Sequence, residues 1–422
     1  MATLKPFRAL RPDPAKAQQI CTPPYDVMSA DEARVMAEGN PLSFLRVTRP
    51  EIEMPEGADA HSDEAYELAA RNLKELIANG ALLREEKPCY YLYRLVMGSH
   101  EQLGLVAVAS CTEYDRGIVK KHELTRPDKE DDRTRHIEIT GAQTGPVFLT
   151  FRSTPETDLL LAEAAADNPV VDFTANDGIR HTAWVISDPA EVKKIESAFQ
   201  RVPALYIADG HHRSAAAARV FRQRAKTATQ EESGGSRDLV AKDAVAYFLT
   251  VTFPHNQMQI LGYNRVVKNL NGLTPEVFMK KLEGVAEVEE GTPDDSLLPT
   301  EKGEMTMYFA GKWYTVRWSE DAAKAATEAD RLDVAVLQRH VLTPLLGIDD
   351  PRTSDRIAFI GGIRGPRELV KLVDGGQYAV AFAMFPTSVE DLMAIADEGG
   401  IMPPKSTWFE PKLRDAMMVH TI

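Results

Sequence analysis

A glycine that separates a buried strand from an alanine-rich helix is the feature that most constrains how this chain can fold. Residues 204–208 are an apolar run that predicts a strand, and residues 214–225 have the alanine-rich composition of a helix. Between these two elements lie five residues with polar side chains or a permissive backbone: Asp209, Gly210, His211, His212 and Arg213. The first N–H groups of a helix have no partners within the helix, and they bind anions. The segment therefore predicts a phosphate-binding loop in an α/β fold.

Each residue of this loop has an expected part in nucleotide binding or catalysis. Gly210 lets the backbone approach a phosphate, Arg213 adds a planar cation, and His211 and His212 offer hydrogen-bond donors. Asp209 orients a neighbouring group in catalysis or carries Mg²⁺. Adjacent histidines on an extended turn point in opposite directions, so we do not expect both to bind one zinc ion. A capped helix that exposes a histidine pair without a ligand is the alternative.

The most densely charged stretch, residues 118–136, supplies the second part of a candidate site. It lies between two apolar segments that predict strands, and we interpret it as a loop. Phosphoryl transfer to a hydroxyl needs a carboxylate near the proton and cations around the phosphates. We therefore assign catalysis to Glu123 and its neighbour His122, and phosphate binding to Lys121 and Arg133. This hypothesis assumes that the stretch approaches the phosphate-binding loop; an ordinary solvated loop is the alternative.

A proline-rich segment near the N-terminus supplies candidate substrate residues. Pro23 and Pro24 fix an extended backbone, so Tyr25 and Asp26 are presented from a stiff loop in front of the helix expected over residues 30–37. A turn that only starts this helix is the alternative interpretation.

Residues 400–407 resemble a nucleotide-binding loop only in part. The position before Lys405 requires a glycine, but it is Pro404, which has no N–H to donate to a phosphate. We reject a phosphate loop here and keep Lys405 and Ser406 as side chains that are expected to reach a substrate.

Length and charge limit the organisation and the partners of the chain. Its 422 residues exceed the range of about 250–300 residues for one hydrophobic core, so we expect an N-terminal catalytic domain over residues 1–260 and a smaller α+β domain over residues 261–422. The net charge of -14 argues against nucleic acid and anionic membranes as partners. We find no apolar run of about 18 residues and no cysteine framework, which favours a cytoplasmic protein with small-molecule partners. A homo-oligomer is left open.

The apolar pattern also predicts individual elements. The expected helices cover residues 30–37, 62–79, 157–166, 189–200 and 214–225, and the expected strands cover residues 89–97, 103–112, 145–151, 170–174, 180–186, 204–208 and 244–253. Polar segments over residues 227–237 and 289–304 predict a mobile loop or partial lid and an acidic loop.

Four motifs resemble those of a known family. They are Thr22-Pro-Pro-Tyr-Asp-Val27, Lys121-His-Glu-Leu-Thr125, Ala208-Asp-Gly-His-His-Arg213 and Met402-Pro-Pro-Lys-Ser-Thr-Trp-Phe-Glu-Pro-Lys412. Together they resemble the bacterial and archaeal family called domain of unknown function 1015, over essentially the full length. The Asp-Gly-His-His-Arg segment is also similar to the phosphate loop of the ParB/sulfiredoxin superfamily, whose free serine kinases phosphorylate L-serine from ADP or ATP. This resemblance implies a ParB/sulfiredoxin-like catalytic domain, nucleotide phosphates at residues 210–213 and a catalytic glutamate from an earlier segment, for which Glu123 is the candidate.

The resulting expectation is a phosphotransferase that uses ATP or ADP with Mg²⁺ to modify a small hydroxyl-bearing metabolite, with free L-serine as the leading acceptor. Two alternatives are a regulatory module that binds nucleotide without transferring phosphate, and a phosphatase in which water replaces the hydroxyl.

Overall fold

The computed structural model describes residues 1–230, 243–291 and 298–422 and divides them into two compact units. The first unit comprises Met1–Met258 and Pro411–Ile422, and the second comprises Gln259–Glu410. The expected division at residue 260 lies beside the observed one, but the last twelve residues, expected in the second part, belong to the first unit. Most of the loop expected over residues 227–237, and residues 292–297 of the expected acidic loop, lie outside the described residues.

The first unit contains helices and strands in alternation. Its strands are β1 (Leu4–Lys5), β2 (Leu10–Pro12), β3 (Leu82–Arg84), β4 (Tyr90–Met97), β5 (His100–Ser110), β6 (Val119–Lys120), β7 (Ala142–Gln143), β8 (Val147–Phe151), β9 (Val171–Thr174), β10 (Arg180–Ile186), β11 (Leu205–Asp209), β12 (Tyr247–Pro254) and, at the C-terminus, β21 (His420–Thr421). Its α-helices are α1 (Ala17–Ile20), α2 (Ala30–Ala37), α3 (Leu45–Thr48), α4 (Asp63–Ala78), α5 (Cys111–Asp115), α6 (Pro127–Thr140), α7 (Pro155–Ala164), α8 (Pro189–Phe199) and α9 (His211–Gln230).

A large mixed sheet forms the centre of this unit. Its strand order is β6-β11-β8-β12-β5-β4-β10-β9, and β1 pairs with β5 outside this path. The β6/β11 and β8/β12 pairs are parallel, and the other neighbours are antiparallel. Side chains such as Leu149, Ile207 and Phe248 are fully buried between the sheet and its helices. This arrangement confirms the mixed α/β class predicted from the sequence.

Local sequence signals account for several elements. The hairpin of β4 and β5 turns at Gly98, whose φ of 60° suits glycine. Helix α4 begins after Ser62, whose side chain accepts a hydrogen bond from the N–H of Ala65, and its apolar face is buried.

The charged stretch expected as a loop over residues 118–136 is instead largely helical, because α6 begins at Pro127. Proline fits the first helical position, Asp128 and Glu130 occupy the first turn, and Gly141 with φ 65° ends the helix. The buried face of α6 is mostly polar, so the apolar period that would have revealed a helix is missing.

The helix expected from residue 214 also begins earlier, at His211. Gly210 has a φ of 95°, which ends β11 and lets the chain turn directly into the helix. His211 and His212 are therefore helical, and they are not on an extended turn as the sequence suggested.

The second unit is a smaller α+β structure. Its strands are β13 (Gln259–Leu261), β14 (Tyr263–Val267), β15 (Ala286–Glu290), β16 (Glu304–Phe309), β17 (Lys312–Trp318), β18 (Ile357–Gly361), β19 (Val380–Met384) and β20 (Trp408–Glu410), and its α-helices are α10 (Pro275–Leu282), α11 (Glu320–Ala323), α12 (Asp333–Leu337), α13 (Gly365–Asp374) and α14 (Val389–Asp397). One sheet has the order β15-β17-β16-β19-β14-β18, and β13 pairs with β20. Among the described helices of both units, none combines the length and the apolar character needed to cross a bilayer.

Candidate functional site

Two parallel strands of the first unit end side by side and release the residues that the sequence singled out. In the β6/β11 pair, Val119 lies opposite Leu205 and Lys120 opposite Tyr206. The residues that follow β6 and those that follow β11 therefore leave the sheet at the same edge. Strand β8 runs antiparallel to β11, so the residues before Val147 also lie at this edge. The two charged segments consequently meet, as the sequence hypothesis required.

Gly210 allows β11 to pass directly into α9. A Cβ atom at this position would lie 3.2 Å from Nε of Arg213, 3.3 Å from its Cζ atom and 3.4 Å from the Cα atom of Val147. The positive φ and this close approach both favour glycine. The turn leaves the first N–H groups of α9 at the edge of the sheet, which is the geometry of a helix N-terminal anion site.

Arg213 is folded back into this turn. Its side chain is 9 % exposed, its guanidinium donates to the carbonyl oxygen of Pro146, and its Nη2 atom lies 3.7 Å from Oδ2 of Asp26 and 3.9 Å from Oδ2 of Asp209. Its Nε atom has no hydrogen-bond partner among the described residues. Burial acts to lower the pKa of Arg213, but Asp26 and Asp209 outweigh burial and raise it. The site therefore holds a buried, permanent cation.

Arg133 reaches the same place from α6. Its guanidinium lies 4.0 Å from the ring centre of Tyr25 and pairs with Asp132 at 2.7 Å. Arg133, Arg213 and Tyr25 line one pocket. The other lining residues are His136, Ile137, Gln143, Thr144, Gly145, Val147, Leu249 and Asp415. Two arginines from different helices thus face one pocket, as an anionic ligand requires.

At the same edge of the sheet, His122, Glu123 and His211 form a compact group. One potential ligand atom from each residue lies within 4.8 Å of the others, and the two imidazole rings are in edge contact with centroids 4.5 Å apart. Burial lowers the pKa of His122 to about 4 and lowers that of His211 well below its usual value. Both histidines are therefore neutral at neutral pH, and each can donate one proton or offer one lone pair.

The other predicted residues at this sheet edge, Asp209, His212 and Lys121, each contact a neighbouring residue. Asp209 accepts a hydrogen bond at 3.0 Å from Nζ of Lys412. Although burial acts to raise the pKa of Asp209, Lys412 and Arg213 hold it below its usual value. Nε2 of His212 accepts from the backbone N–H of Arg126 at 3.1 Å, and Nζ of Lys121 lies 3.9 Å from the ring centre of Tyr114. The assignments of these side chains to nucleotide binding or catalysis stay predictions.

Lys405 and Ser406 belong to the second unit. Lys405 has a positive φ of 59°, and its carbonyl accepts a hydrogen bond at 3.0 Å from Arg265. Ser406 is buried and donates to the carbonyl of Pro403 at 2.6 Å. Both residues thus stabilise a loop of their own unit, and their role toward a substrate stays a prediction.

Several residues of the pocket were missed in the sequence. Asp415 is 1 % exposed, and one of its carboxylate oxygens has no hydrogen-bond partner among the described residues. Burial raises its pKa to about 7. The Oδ1 atom of Asp415 would lie 2.7 Å from a Cβ at Gly145, which explains the glycine there. The last of the four motifs ends at Lys412, and Asp415 follows shortly after it. The charged residues just after this motif were the signal from which Asp415 could have been identified.

Comparisons with known proteins give a family and a set of distant structures. The sequence model of the family described as "Protein of unknown function (DUF1015)" matches residues 4–335. No curated protein matches the chain. Among solved structures, free serine kinase in complex with AMP has a TM-score of 0.36 and 11 % identity, over 72 % of this chain and 86 % of that chain. SbnI with a C-terminal truncation, from Staphylococcus aureus, has a TM-score of 0.38 and 11 % identity, over 74 % of this chain and 85 % of that chain. A conserved hypothetical protein from Pyrococcus furiosus has a TM-score of 0.35 and 11 % identity, over 74 % of this chain and 93 % of that chain.

Proposed function

Starting from the fact that the chain belongs to the DUF1015 family, we propose that its first unit is a nucleotide-dependent phosphotransferase acting on a small hydroxyl-bearing metabolite. The observation that carries this proposal is the parallel pairing of β6 with β11. It brings Glu123 beside the N-terminus of α9, where Arg213 supplies a buried cation. A carboxylate, a helix N-terminus and fixed cations at one sheet edge are the parts that phosphoryl transfer uses.

In the proposed reaction, ATP or ADP places its terminal phosphates at residues 210–213 with Mg²⁺. The acceptor oxygen forms a bond to the terminal phosphorus as the bond to the bridging oxygen breaks, and that oxygen leaves on the shortened nucleotide with the electron pair. Glu123 accepts the proton of the acceptor hydroxyl. Arg133 and Arg213 balance the charge on the transferring group.

We propose free L-serine as the leading acceptor, and a ParB/sulfiredoxin-like arrangement for the strand, glycine turn and helix at the phosphates. Tyr25 and Asp26 support this proposal because they adjoin Arg133 and Arg213, so an acceptor near them would face the phosphates. The ammonium and carboxylate of an amino acid match a site that carries both carboxylates and guanidinium groups.

Incubation of the protein with ATP or ADP, Mg²⁺ and a panel of amino acids, followed by mass spectrometry, tests the reaction. We expect phosphoserine. Glu123→Gln should lower turnover by about a hundredfold or more and leave nucleotide affinity nearly unchanged, since a general base acts on the transition state. Glu138→Gln, an exposed change on α6, is the matched control. If no amino acid is phosphorylated, the kinase proposal is wrong.

Nucleotide affinity is measured separately by calorimetry. We expect Arg213→Ala to weaken binding of ADP or ATP by about tenfold to a hundredfold, because a hydrogen bond to a charged group contributes about 1.5–3 kcal/mol. Arg222→Ala on the same helix, where the arginine pairs with Asp115, is the control. Equal affinity in wild type and Arg213→Ala would remove the phosphates from this loop. Binding without turnover would instead favour the regulatory module, and release of inorganic phosphate would favour the phosphatase.

A further inference from the structure

The group formed by His122, Glu123 and His211 has a property that nucleotide binding does not explain. Both histidines are at least nine-tenths buried, at 2 % and 5 % exposure. Among the described residues, neither Nδ1 of His122 nor Nε2 of His211 has a hydrogen-bond partner. A buried polar atom without a partner is destabilising, so two such atoms on touching rings require a reason.

The hydrogen bonding of His122 indicates which atom is available to a ligand. The imidazole makes a hydrogen bond with the backbone of Ile207, which favours its protonated form. A hydrogen bond with that effect is donated by the ring to a carbonyl oxygen. Because Nδ1 has no partner, the donor is Nε2, and Nδ1 keeps its lone pair. A backbone carbonyl that fixes the second ring nitrogen is the usual arrangement around metal-bound histidines.

From this geometry we propose that His122, Glu123 and His211 bind one divalent transition-metal ion. The three ligand atoms lie within 4.8 Å of one another, so small side-chain rotations allow one ion to contact all three at about 2.0–2.2 Å. Two imidazoles and one carboxylate suit zinc, manganese or iron, whereas magnesium prefers oxygen ligands and keeps its waters. Three protein ligands also leave open positions on the ion for a further ligand.

The elements that carry these ligands hold them in place without the ion. His122 and Glu123 follow β6, and His211 is the first residue of α9 after β11, so the register of two paired strands fixes their separation. Asp209 acts electrostatically on both histidines and offsets the positive charge that a metal adds. The proposed ion therefore lies beside the turn at Gly210, and its ligands do not include Asp209.

Metal binding by the three residues can be measured without nucleotide, so the result is independent of the proposed phosphotransferase reaction. The full chain is stripped with a chelator, then dialysed against Zn²⁺, Mn²⁺ or Mg²⁺, and the bound metal is measured by mass spectrometry. We expect one equivalent of Zn²⁺ or Mn²⁺ per chain, with an affinity at least about a hundredfold above that for Mg²⁺. Co²⁺ should give the visible absorption of a low-symmetry site with nitrogen and oxygen ligands.

Variants separate the ligands from their neighbours. His211→Ala and Glu123→Gln should each weaken Zn²⁺ binding by about a hundredfold and change the Co²⁺ spectrum. His100→Ala, which removes a histidine at the start of β5 outside the group, should keep one equivalent and the wild-type spectrum. Circular dichroism checks that each variant is folded, and the half-exposed position of Glu123 makes Glu123→Gln the variant least dependent on the core.

The same variants distinguish failure of the proposed metal site from failure of the proposed phosphotransferase reaction. Loss of turnover in Glu123→Gln with unchanged Zn²⁺ affinity would overturn the three-ligand site and keep Glu123 as a base. Mg²⁺ binding as tight as Zn²⁺ binding, or a wild-type chain that retains no metal, would also overturn it. Metal binding that is lost in His211→Ala supports the site even if no amino acid is phosphorylated.

Discussion

At the scale of single residues, the buried carboxyl of Asp415 gives the first unit a pH-dependent stability. Burial raises its pKa from 3.8 to about 7, against the opposing effect of Arg213. Between these two values the folded chain keeps a proton that the unfolded chain releases, so stability falls as pH rises from about 4 to about 7. Asp415→Asn removes this loss, which amounts to a few kcal/mol at about 1.4 kcal/mol per pKa unit. We therefore expect the variant to gain stability relative to wild type as pH increases.

Urea unfolding of wild type and Asp415→Asn at about pH 5 and about pH 8 measures this gain. Buried His136 and His420 have lowered pKa values, because burial disfavours their charged forms, and they make stability rise with pH over part of the range. Wild type and Asp415→Asn share this contribution of the two histidines, so it cancels in the difference between their free energies of unfolding. Parallel pH profiles would mean that Asp415 is already ionised at pH 5.

At the scale of elements, the junction of β11 and α9 depends on Gly210. Alanine at φ 95° is strained, and its Cβ would press on Arg213 and Val147. We expect Gly210→Ala to cost about 1–3 kcal/mol of stability and to weaken nucleotide binding, because the N-terminus of α9 must move. Urea unfolding and calorimetry with ADP measure the two effects.

Gly80→Ala is the matched control for this substitution. Gly80 also has a positive φ, 69°, but a Cβ there would meet no atom within 4 Å. Gly80→Ala should lose stability only because alanine disfavours this backbone conformation, and it should leave nucleotide binding unchanged. If both variants lose the same stability and both bind ADP normally, the close packing at Gly210 has no part in the site.

Some elements at the candidate site could be predicted from the sequence, and others could not. The strand, the glycine turn and the following helix were predictable because apolar runs, glycine and alanine act locally. Helix α6 was not, since its buried face carries Asp132, Arg133 and His136 in place of apolar residues. Arg133 and His136 line the pocket, and Asp132 pairs with Arg133, so the departure from the apolar pattern coincides with the candidate site.

At the scale of the whole molecule, the first unit is completed by the end of the chain. Arg414 donates to the carboxylate of Asp177 and to Nε2 of His181, and β21 pairs with β7. Lys412 and Asp415 reach the candidate site from the same segment. Contacts between residues more than 200 positions apart leave no pattern in the local sequence. For this reason the sequence interpretation assigned residues 411–422 to the second domain.

The second unit has the form of an insertion into the first, and this leads to a prediction about folding. Its first and last residues, Gln259 and Glu410, are cross-strand partners in the β13/β20 pair. Cα atoms of such partners are about 4.5–5.5 Å apart, so a linker of about three glycine and serine residues can join Met258 to Pro411. Insertions with adjacent ends are commonly removable without unfolding the host.

We expect the shortened chain, with residues 259–410 replaced by this linker, to fold with one cooperative urea transition. Amides of β11 and β12 should retain strong protection from hydrogen exchange, because their partners β8 and β5 are all within the first unit. A chain that ends at Glu410 is the control. It should lose that protection, because it lacks Lys412, Arg414 and β21. If the shortened chain fails to fold while the chain ending at Glu410 remains folded, the contacts of residues 411–422 do not hold the first unit together.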